Sequence, residues 1–442
     1  MKEIKLNTLS NNLKEYSQDP KNKILRHALV KNSLSEVSAN LDKIEDYDFN
    51  FSIDVKTMSA TNQKQSGRCW IFAATNVLRE IIAKKCNLAN FELSQSYVAF
   101  YDRLEKVNYT LEAIIELINE DYDDRTLSYI VSNGIGDGGQ WDMFVNVVSK
   151  YGLVPQNVYP ETRTSSQTRE TNLLINFNIR KFASDSKALY QKGGLELVRK
   201  EKEELLKKIY FLLVDAYGLP PQEFNFEYVD KDDKYHLEEG YTPKSFFEKY
   251  IGDELFEFVS IINAPTKSKP FNKTYTIKYL GNVAGGKDVT HLNLEMNRLK
   301  ELIISQLKDG QIVWFGSDVG FYRDSSGAWD DTKFDYETPF NLDFKMDKGE
   351  SLDFRASQMN HAMCVTGVNL DKNGNPTKWK IENSWGTDGG KSGFYIMSDS
   401  WFNQYVYQAV VKKKYLSSEE LEALKEKPAV LKPWDPMGSL AD

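Results

Sequence analysis

Gln63-Lys64-Gln65-Ser66-Gly67-Arg68-Cys69-Trp70 is the stretch whose reading decides the fold. It runs into Ile71-Phe72-Ala73-Ala74-Thr75-Asn76-Val77-Leu78-Arg79-Glu80-Ile81-Ile82, with apolar residues at 71, 74, 78 and 82. That is helical spacing. No Pro or Gly interrupts the run from Cys69 to Leu88, and Gly67 stands just before it, where the chain must turn. The pattern predicts a loop followed by a helix with Cys69 in its first turn. Unpaired N–H groups and the helix dipole favour an anion at that position, and therefore a thiolate over a thiol.

A free Cys in a helical pattern is more often a small packed residue than a nucleophile. Three features weigh against that reading. Gln63 lies upstream, where a loop can bring its amide beside the Cys69 backbone N–H. Trp70 follows immediately, and candidate His and Asn partners stand on later strand-like segments. The Cys-Trp pair resembles the nucleophile signature of papain-like cysteine peptidases. Secreted and lysosomal peptidases of that kind carry another Cys three residues before the nucleophile. Here that residue is Ser66, so the corresponding disulfide cannot form.

Composition narrows the classes. The chain of 442 residues has no apolar stretch long enough to span a membrane. Its 41% hydrophobic and 13% aromatic content fits a globular protein. A formal net charge of −8 argues against general nucleic-acid affinity and for solubility. Cys69, Cys86 and Cys364 are too few for a disulfide framework and imply a reducing compartment. Met1-Lys2-Glu3-Ile4-Lys5-Leu6-Asn7 has no apolar core of a signal peptide. A cytoplasmic location is expected, with no cofactor and no metal.

Residues 8–45 read as helices, with Ser10, Asn11 or Ser17 as candidate caps and a break at Asp19-Pro20. Helices are expected near 94–106 and over 110–120. Ser132-Asn133-Gly134-Ile135-Gly136-Asp137-Gly138-Gly139-Gln140-Trp141 follows, its glycines suited to close backbone approach. A helix over 141–150 ends at Gly152. Residues 165–290 read as an insertion containing a long charged helix, Leu195 to Tyr217, and a strand near Tyr275 to Leu280. His291 to Lys308 has the spacing of a helix, and Gln311 to Phe315 of a buried strand. Beyond them Asn360 to Val368, Trp379 to Gly386 and Gly393 to Met397 are β-rich.

Of the four histidines, His27, His236, His291 and His361, only His361 is expected to begin a buried strand. Asn383 follows the next strand, which would place its amide beside the His361 ring. Thiolate attack on a peptide carbonyl needs a base that accepts the thiol proton and later protonates the leaving amine, and His361 can do both. The Asn383 carbonyl can fix the imidazole tautomer, and Trp385 can shield that bond from water. The Cys69 N–H and the Gln63 amide can stabilise the oxyanion.

Gln63, Cys69-Trp70, Asp137-Gly138-Gly139, Tyr151-Gly152, Asn360-His361-Ala362 and Asn383-Ser384-Trp385-Gly386 match the papain motif set in order. Gln-Ser-Gly-Arg-Cys-Trp, the long separation of Cys69 from His361, and Trp434-Asp435-Pro436-Met437-Gly438 narrow the match. Over essentially its whole length the chain resembles the bleomycin hydrolase / aminopeptidase C family. The resemblance implies an α+β papain-like fold of two lobes, one helical and one β-barrel-like, with large helical insertions. It implies a cysteine aminopeptidase acting on peptides with a free N-terminus, and a homohexameric ring with inward-facing sites. In this fold paired glycines present backbone to substrate, a role carried by Gly138 and Gly139. The C-terminal arm is implied to enter the cleft, so that Ala441 or Asp442 supplies the terminal carboxylate that meets the substrate amine.

The organisation expected is an N-terminal helical segment (1–50), a helical lobe with the nucleophile (51–164), a helical oligomerisation insertion (165–290), a β lobe with His and Asn (291–427), and the arm (428–442). The other readings are an endo- or oligopeptidase on the same scaffold, and a nucleic-acid-binding ring protein. The intact set of Cys69, His361, Asn383 and Gln63 favours an enzyme over an idle scaffold.

Overall fold

The computed structural model describes residues 1–40, 48–323 and 327–441. At the N-terminus α1 (Leu6–Gln18), α2 (Pro20–Ala28) and α3 (Leu34–Val37) bury no residue. Asp19 caps α2 through the Lys21 N–H, and Pro20 takes the first helical position, where no N–H is needed. Ser33 and Glu36 form a capping box on α3. The candidate caps Ser10 and Ser17 instead lie within α1, with their hydroxyls bonded back to the Leu6 and Leu13 carbonyls. Residues 41–45 of the expected helices lie outside the described residues.

The helical lobe follows a short strand, β1 (Ile53–Asp54). Helix α4 (Cys69–Cys86) starts at the expected Cys and ends at Asn87 in the left-handed region. Where two helices were expected there is one, α5 (Gln95–Glu116), capped by the Ser94 hydroxyl on the Tyr97 N–H. No Gly or Pro interrupts it, and burial on most of its sides carries it through. Next come α6 (Arg125–Asn133), α7 (Trp141–Tyr151), α8 (Arg163–Ser166) and α9 (Arg169–Tyr217). The last breaks at Gly193 and at Gly194, whose φ of +67° only glycine adopts readily.

The 165–290 segment is not helical throughout. It continues through a hairpin of β2 (Phe224–Val229) and β3 (Tyr235–Tyr241), α10 (Pro243–Tyr250), β4 (Phe258–Ile262) and β5 (Lys273–Ile277). His291 begins no helix. It lies in β6 (His291–Asn293), paired with Ser260 on one side and Tyr275 on the other, and α11 (Met296–Lys308) starts later. The helical spacing of the segment was overridden by two-sided strand pairing. The remainder comprises β7 (Val313–Ser317), β8 (Ala328–Trp329), α12 (Glu337–Phe340), α13 (Lys348–Asp353), β9 (His361–Leu370), β10 (Pro376–Glu382), β11 (Phe394–Ser398), α14 (Asp399–Tyr405), β12 (Val406–Lys412), α15 (Ser418–Ala423) and β13 (Ala429–Leu431).

One sheet runs β13-β5-β6-β4-β12-β7-β9-β10-β11-β8, with β1 added to β9. Thus β4 and β5, from inside the expected insertion, belong to the β lobe. One face of the sheet, with Trp314, Ala362 and Cys364, joins the helical core that contains Trp70 and Trp141. The other face, with Phe315, Met363 and Val365, packs on α11 and α14 through Leu299, Ile303, Trp401 and Phe402. The seam between α4 and the sheet is where the functional residues meet.

Asp137 holds the helical side of that seam. Its carboxylate accepts from the Gly67 N–H at 2.8 Å, the Asn172 amide at 2.7 Å, the Thr168 hydroxyl and the Arg103 guanidinium. Its backbone carbonyl accepts the Trp70 indole N–H at 2.7 Å. Burial alone would raise this carboxyl, but Arg103 and the other donors hold it at about 2. That lies below its ordinary 3.8, so the contribution to stability is present above the ordinary value and is lost as pH falls toward 2. Asp137→Ala strands the Arg103 charge, whose side chain is only 1% exposed. The expected destabilisation is about 3–5 kcal/mol, with Asp137→Asn milder. Denaturant titration checks it, and a loss under about 1 kcal/mol would remove Asp137 from this role.

Candidate active site

The site begins with the loop before α4. The Ser66 hydroxyl donates to the Gln63 carbonyl at 2.6 Å and accepts from Arg68 Nε at 2.9 Å. The Arg68 guanidinium, buried, makes a two-pronged pair with Glu161 at 2.9 and 3.1 Å. A hydrogen-bonded serine therefore orders the loop at the position where a disulfide cysteine was lacking. Gln63 is fixed at both ends of its amide. Its Oε1 accepts from the Ser384 hydroxyl at 2.6 Å and its Nε2 donates to the Ser66 carbonyl at 2.6 Å. One N–H of that amide remains for a ligand.

Cys69 is buried at the α4 N-terminus, and the Ala362 N–H donates to its Sγ at 3.4 Å. His361 is the first residue of β9. Its Nε2 lies 2.8 Å from Asn383 Oδ1. That same oxygen accepts the Ser384 N–H at 2.8 Å, so it is the carbonyl end of the amide, and His361 Nε2 must be the donor. The ring's other nitrogen, Nδ1, is then the unprotonated one in the neutral imidazole. Trp385 stacks on the imidazole with centroids 4.8 Å apart and planes at 26°. Cys69, His361, Asn383, Gln63, Trp70 and Trp385 all come together at the α4–β9 seam.

Burial dominates the electrostatics. It pushes the Cys69 thiol up to about 11, against the backbone N–H groups of Ala362 and Trp70, which lower it, and Asp137 adds to the rise. It pushes the His361 imidazole down to about 4, although the Asn383 hydrogen bond opposes this. Burial thus works against the thiolate that the helix dipole favours. A neutral Nδ1 lone pair can take the thiol proton as the sulfur attacks a carbonyl.

The glycine loop lines the same place. Gly139 packs against the Trp70 indole so closely that a Cβ there would come within 2.5 Å of the ring. Its N–H donates to the Leu440 carbonyl at 3.0 Å. The Gly138 carbonyl is taken by the Lys106 ammonium at 2.5 Å, so it faces the interior of the helical lobe. Lys106, buried beside Asp102, also reaches the Gly136 carbonyl at 3.2 Å.

The C-terminal segment ends here. Arg125 lies 3.8 Å from the centre of the Trp434 ring, Lys269 pairs with Asp435 at 3.0 Å, and the Ser439 hydroxyl donates to the Met359 carbonyl at 2.7 Å. Met437 and Leu440 are buried within a 3₁₀ turn, Pro436–Ala441. Ala441 is partly buried, and Asp442 lies outside the described residues. Among the described residues no group of three or more His, Cys, Asp or Glu side chains is arranged to hold a metal ion. Nor is any helix long and apolar enough to cross a membrane.

Several participants carry no sequence signal of their own. Ser384 fixes Gln63 across the seam. Asp318, buried, gathers the Ser357 hydroxyl at 2.8 Å and the Asn360 amide at 2.7 Å, bracing the loop before His361. In the sequence Ser384 is only a link in the Asn-Ser-Trp-Gly run, and Asp318 is distant from the loop it braces.

A sequence model described as the Peptidase C1-like family matches residues 3–438. An aminopeptidase C of Lactobacillus delbrueckii subsp. lactis is 45% identical, covering 100% of this chain and 99% of its own. An aminopeptidase C of Listeria monocytogenes is 42% identical over 99% of both chains. An aminopeptidase G of Lactobacillus delbrueckii subsp. lactis is 39% identical over 98% and 99%. The crystal structure of PepW from Lactobacillus rhamnosis HN001 superposes with a TM-score of 0.96 at 43% identity, covering 99% of each chain. The chain belongs to the Peptidase C1-like family and is a papain-like cysteine peptidase.

Proposed function

We propose that the protein is an aminopeptidase that releases N-terminal residues from peptides through a Cys69 thioester. The names of its relatives, aminopeptidase C and aminopeptidase G, support the reading. The observation that carries it is the hydrogen bond from Gly139 to the Leu440 carbonyl. The arm thereby occupies backbone that an extended peptide would otherwise use, and leaves room for little of a substrate upstream of the scissile bond.

In the proposed reaction His361 Nδ1 takes the Cys69 proton as sulfur bonds to the scissile carbonyl carbon. The oxyanion accepts from the Cys69 N–H and the free Gln63 Nε2–H. Collapse breaks the C–N bond, and the imidazolium returns its proton to the departing amine. Water, deprotonated by the same nitrogen, then hydrolyses the thioester and restores the thiol. Asn383 keeps Nε2–H engaged throughout, so Nδ1 alone carries the traffic. A carboxylate at the arm's end would pair with the substrate ammonium, whose pKa of roughly 7.7–8.0 leaves it mostly charged at neutral pH. Either Asp442 supplies that anion, or it is trimmed and Ala441 does.

The unburied α1 and α2, with exposed Leu6, Leu9, Leu13, Tyr16 and Ile24, support a homo-oligomer, for which a hexamer is proposed. Three unpaired thiols suit the reducing cytoplasm.

Cys69→Ala is expected to abolish hydrolysis of aminoacyl amides with the fold retained by circular dichroism. Gln63→Ala should lower kcat by roughly 10²–10³, the loss typical of one oxyanion donor. Turnover by a clean Cys69→Ala preparation would sink the mechanism. Deleting residues 439–442 should weaken aminopeptidase activity and admit N-terminally blocked peptides. A truncated enzyme that keeps its full preference for free N-termini would instead favour the endo- or oligopeptidase reading. Because burial raises the Cys69 thiol to about 11, alkylation by iodoacetamide should keep accelerating with pH well above neutrality. A rate that plateaus in mild acid would indicate a preformed thiolate–imidazolium pair.

A further inference from the structure

Residue 382 precedes Asn383, and its carboxylate is buried against the nucleophile helix. Glu382 Oε1 accepts from Arg79 Nη2 at 2.7 Å and from the Asn76 amide at 2.9 Å, both on α4. Arg79 Nη2 also donates to the Ser59 carbonyl at 3.0 Å, and Asn76 Nδ2 reaches the Thr61 hydroxyl at 3.2 Å. Arg79 is 2% exposed and Glu382 has no exposed side-chain surface. One helix face, one strand end and the segment leading into the Gln63 loop are thus fastened at a single carboxylate oxygen. The helix carries Cys69 at its start, and the strand delivers Asn383 at its end. Glu382 is also paired in register with Cys364 of β9, the strand that begins at His361.

We propose that Glu382 is a positioning residue that, through Arg79 and Asn76, sets the placement of Cys69 relative to the His361–Asn383 pair. It touches no substrate atom and acts by locking α4 against β10. The lock depends on charge. An ionised Glu382 attracts the Arg79 cation at 2.7 Å, and a protonated one leaves that buried cation only the more distant Glu80 carboxylate, 3.7 Å from Arg79 Nε. The contact is a single N–H···O bond. Glu382 Oε2 and Asn76 Oδ1 have no hydrogen-bond partner and Arg79 Nε has only the Glu80 carboxylate at 3.7 Å, so the cluster is incompletely satisfied.

The charged and titratable groups around it are Arg79 and Glu80 from α4, Lys380 from β10 and Cys364 from β9. Burial raises the Glu382 carboxyl, Arg79, the Thr57 hydroxyl and Lys380 oppose the rise and Glu80 adds to it, leaving it at about 7. The catalytic imidazole protonates much lower, at about 4. With the geometry above, a loss of activity on the acid side of neutrality is the outcome expected of Glu382. Ionised above that pH it holds the lock, and as pH falls through it the lock is released.

The proposal rests on the catalytic reading of Cys69, His361 and Asn383, and its test separates the two. The pH profile of kcat and KM on a fluorogenic aminoacyl amide is compared between wild type and Glu382→Gln, together with the iodoacetamide rate at Cys69. Glu382→Gln is expected to lower kcat by roughly 10–10², the scale of a small misplacement of reacting groups, with KM little changed. The thiol should alkylate faster, because a loosened α4 withdraws it from cover. The acid limb near 7 should vanish, leaving the fall set by His361. Wild-type kcat, or an unmoved acid limb, would overturn the proposal. If Glu382→Gln does not fold, Glu80→Gln removes the like charge and should move the wild-type limb to lower pH; an unchanged limb there overturns it equally. If wild type turns over no aminoacyl amide, the catalytic reading fails, and an unchanged alkylation rate in Glu382→Gln then overturns the lock on its own.

Discussion

Everything about the site depends on how the start of α4 sits against the start of β9. A thiol and an imidazole from different lobes must meet, and no chain connection near either enforces this. The seam does it with backbone. The Ala362 N–H reaches Cys69 Sγ, the Cys364 thiol reaches the Ala73 carbonyl at 3.2 Å, and the Trp314 indole N–H reaches the Trp70 carbonyl at 3.1 Å. Because β7 and β9 are adjacent strands, Trp314 and Cys364 face α4 as one rigid surface. These buried contacts together oppose any large shift of the helix, which helps hold reacting groups to the tolerance catalysis demands.

Burial that gives this rigidity also acts on the ionisable groups of the site. A helix N-terminus stabilises an anion by about 0.3–1 kcal/mol, and up to ~2 in favourable buried geometry. Full desolvation of a thiolate shifts its pKa by up to several units, each worth about 1.4 kcal/mol. At Cys69 burial pushes the thiol up against the dipole, and at His361 it pushes the imidazole down. A sequence pattern marks a helix start but not how much chain will cover it, so it gives the sign of the dipole effect and not the size of the opposing one.

The same distinction separates what was legible from what was not. The start of α4, the strand beginning at His361 and the turn at Asn383 follow from local signals, an uninterrupted apolar period and β-rich runs closed by polar residues. The ordered motifs then identify the family. What failed was settled at long range. His291 carries a helical period in its neighbourhood, yet Ser260 and Tyr275 claim its backbone from both sides. Residues 258–277 read as part of an insertion because nothing local says they pair with β12 and β13. Asp318 has no pattern at all, and Ser384, though inside the Asn-Ser-Trp-Gly run, carries no signal for its bond to Gln63, since both depend on partners far away in sequence.

The arm extends this logic to the last residues of the chain. Ser439 binds the Met359 carbonyl, two residues before His361, while the Leu440 carbonyl binds the glycine loop of the helical lobe. The terminal turn therefore bridges both sides of the site. A free tetrapeptide with these contacts would bind weakly, because ordering and association costs consume most of so small an interaction. Tethering changes the balance. β13 pairs in register with β5, and Asp435 is held by Lys269, so the last residues are presented at an effective concentration of order mM or above. A few modest contacts are then enough to keep the turn seated. The position of the turn is thus set by the sheet edge and Lys269, away from the reacting atoms, so that the limit on peptide length proposed for the arm would act without disturbing the seam.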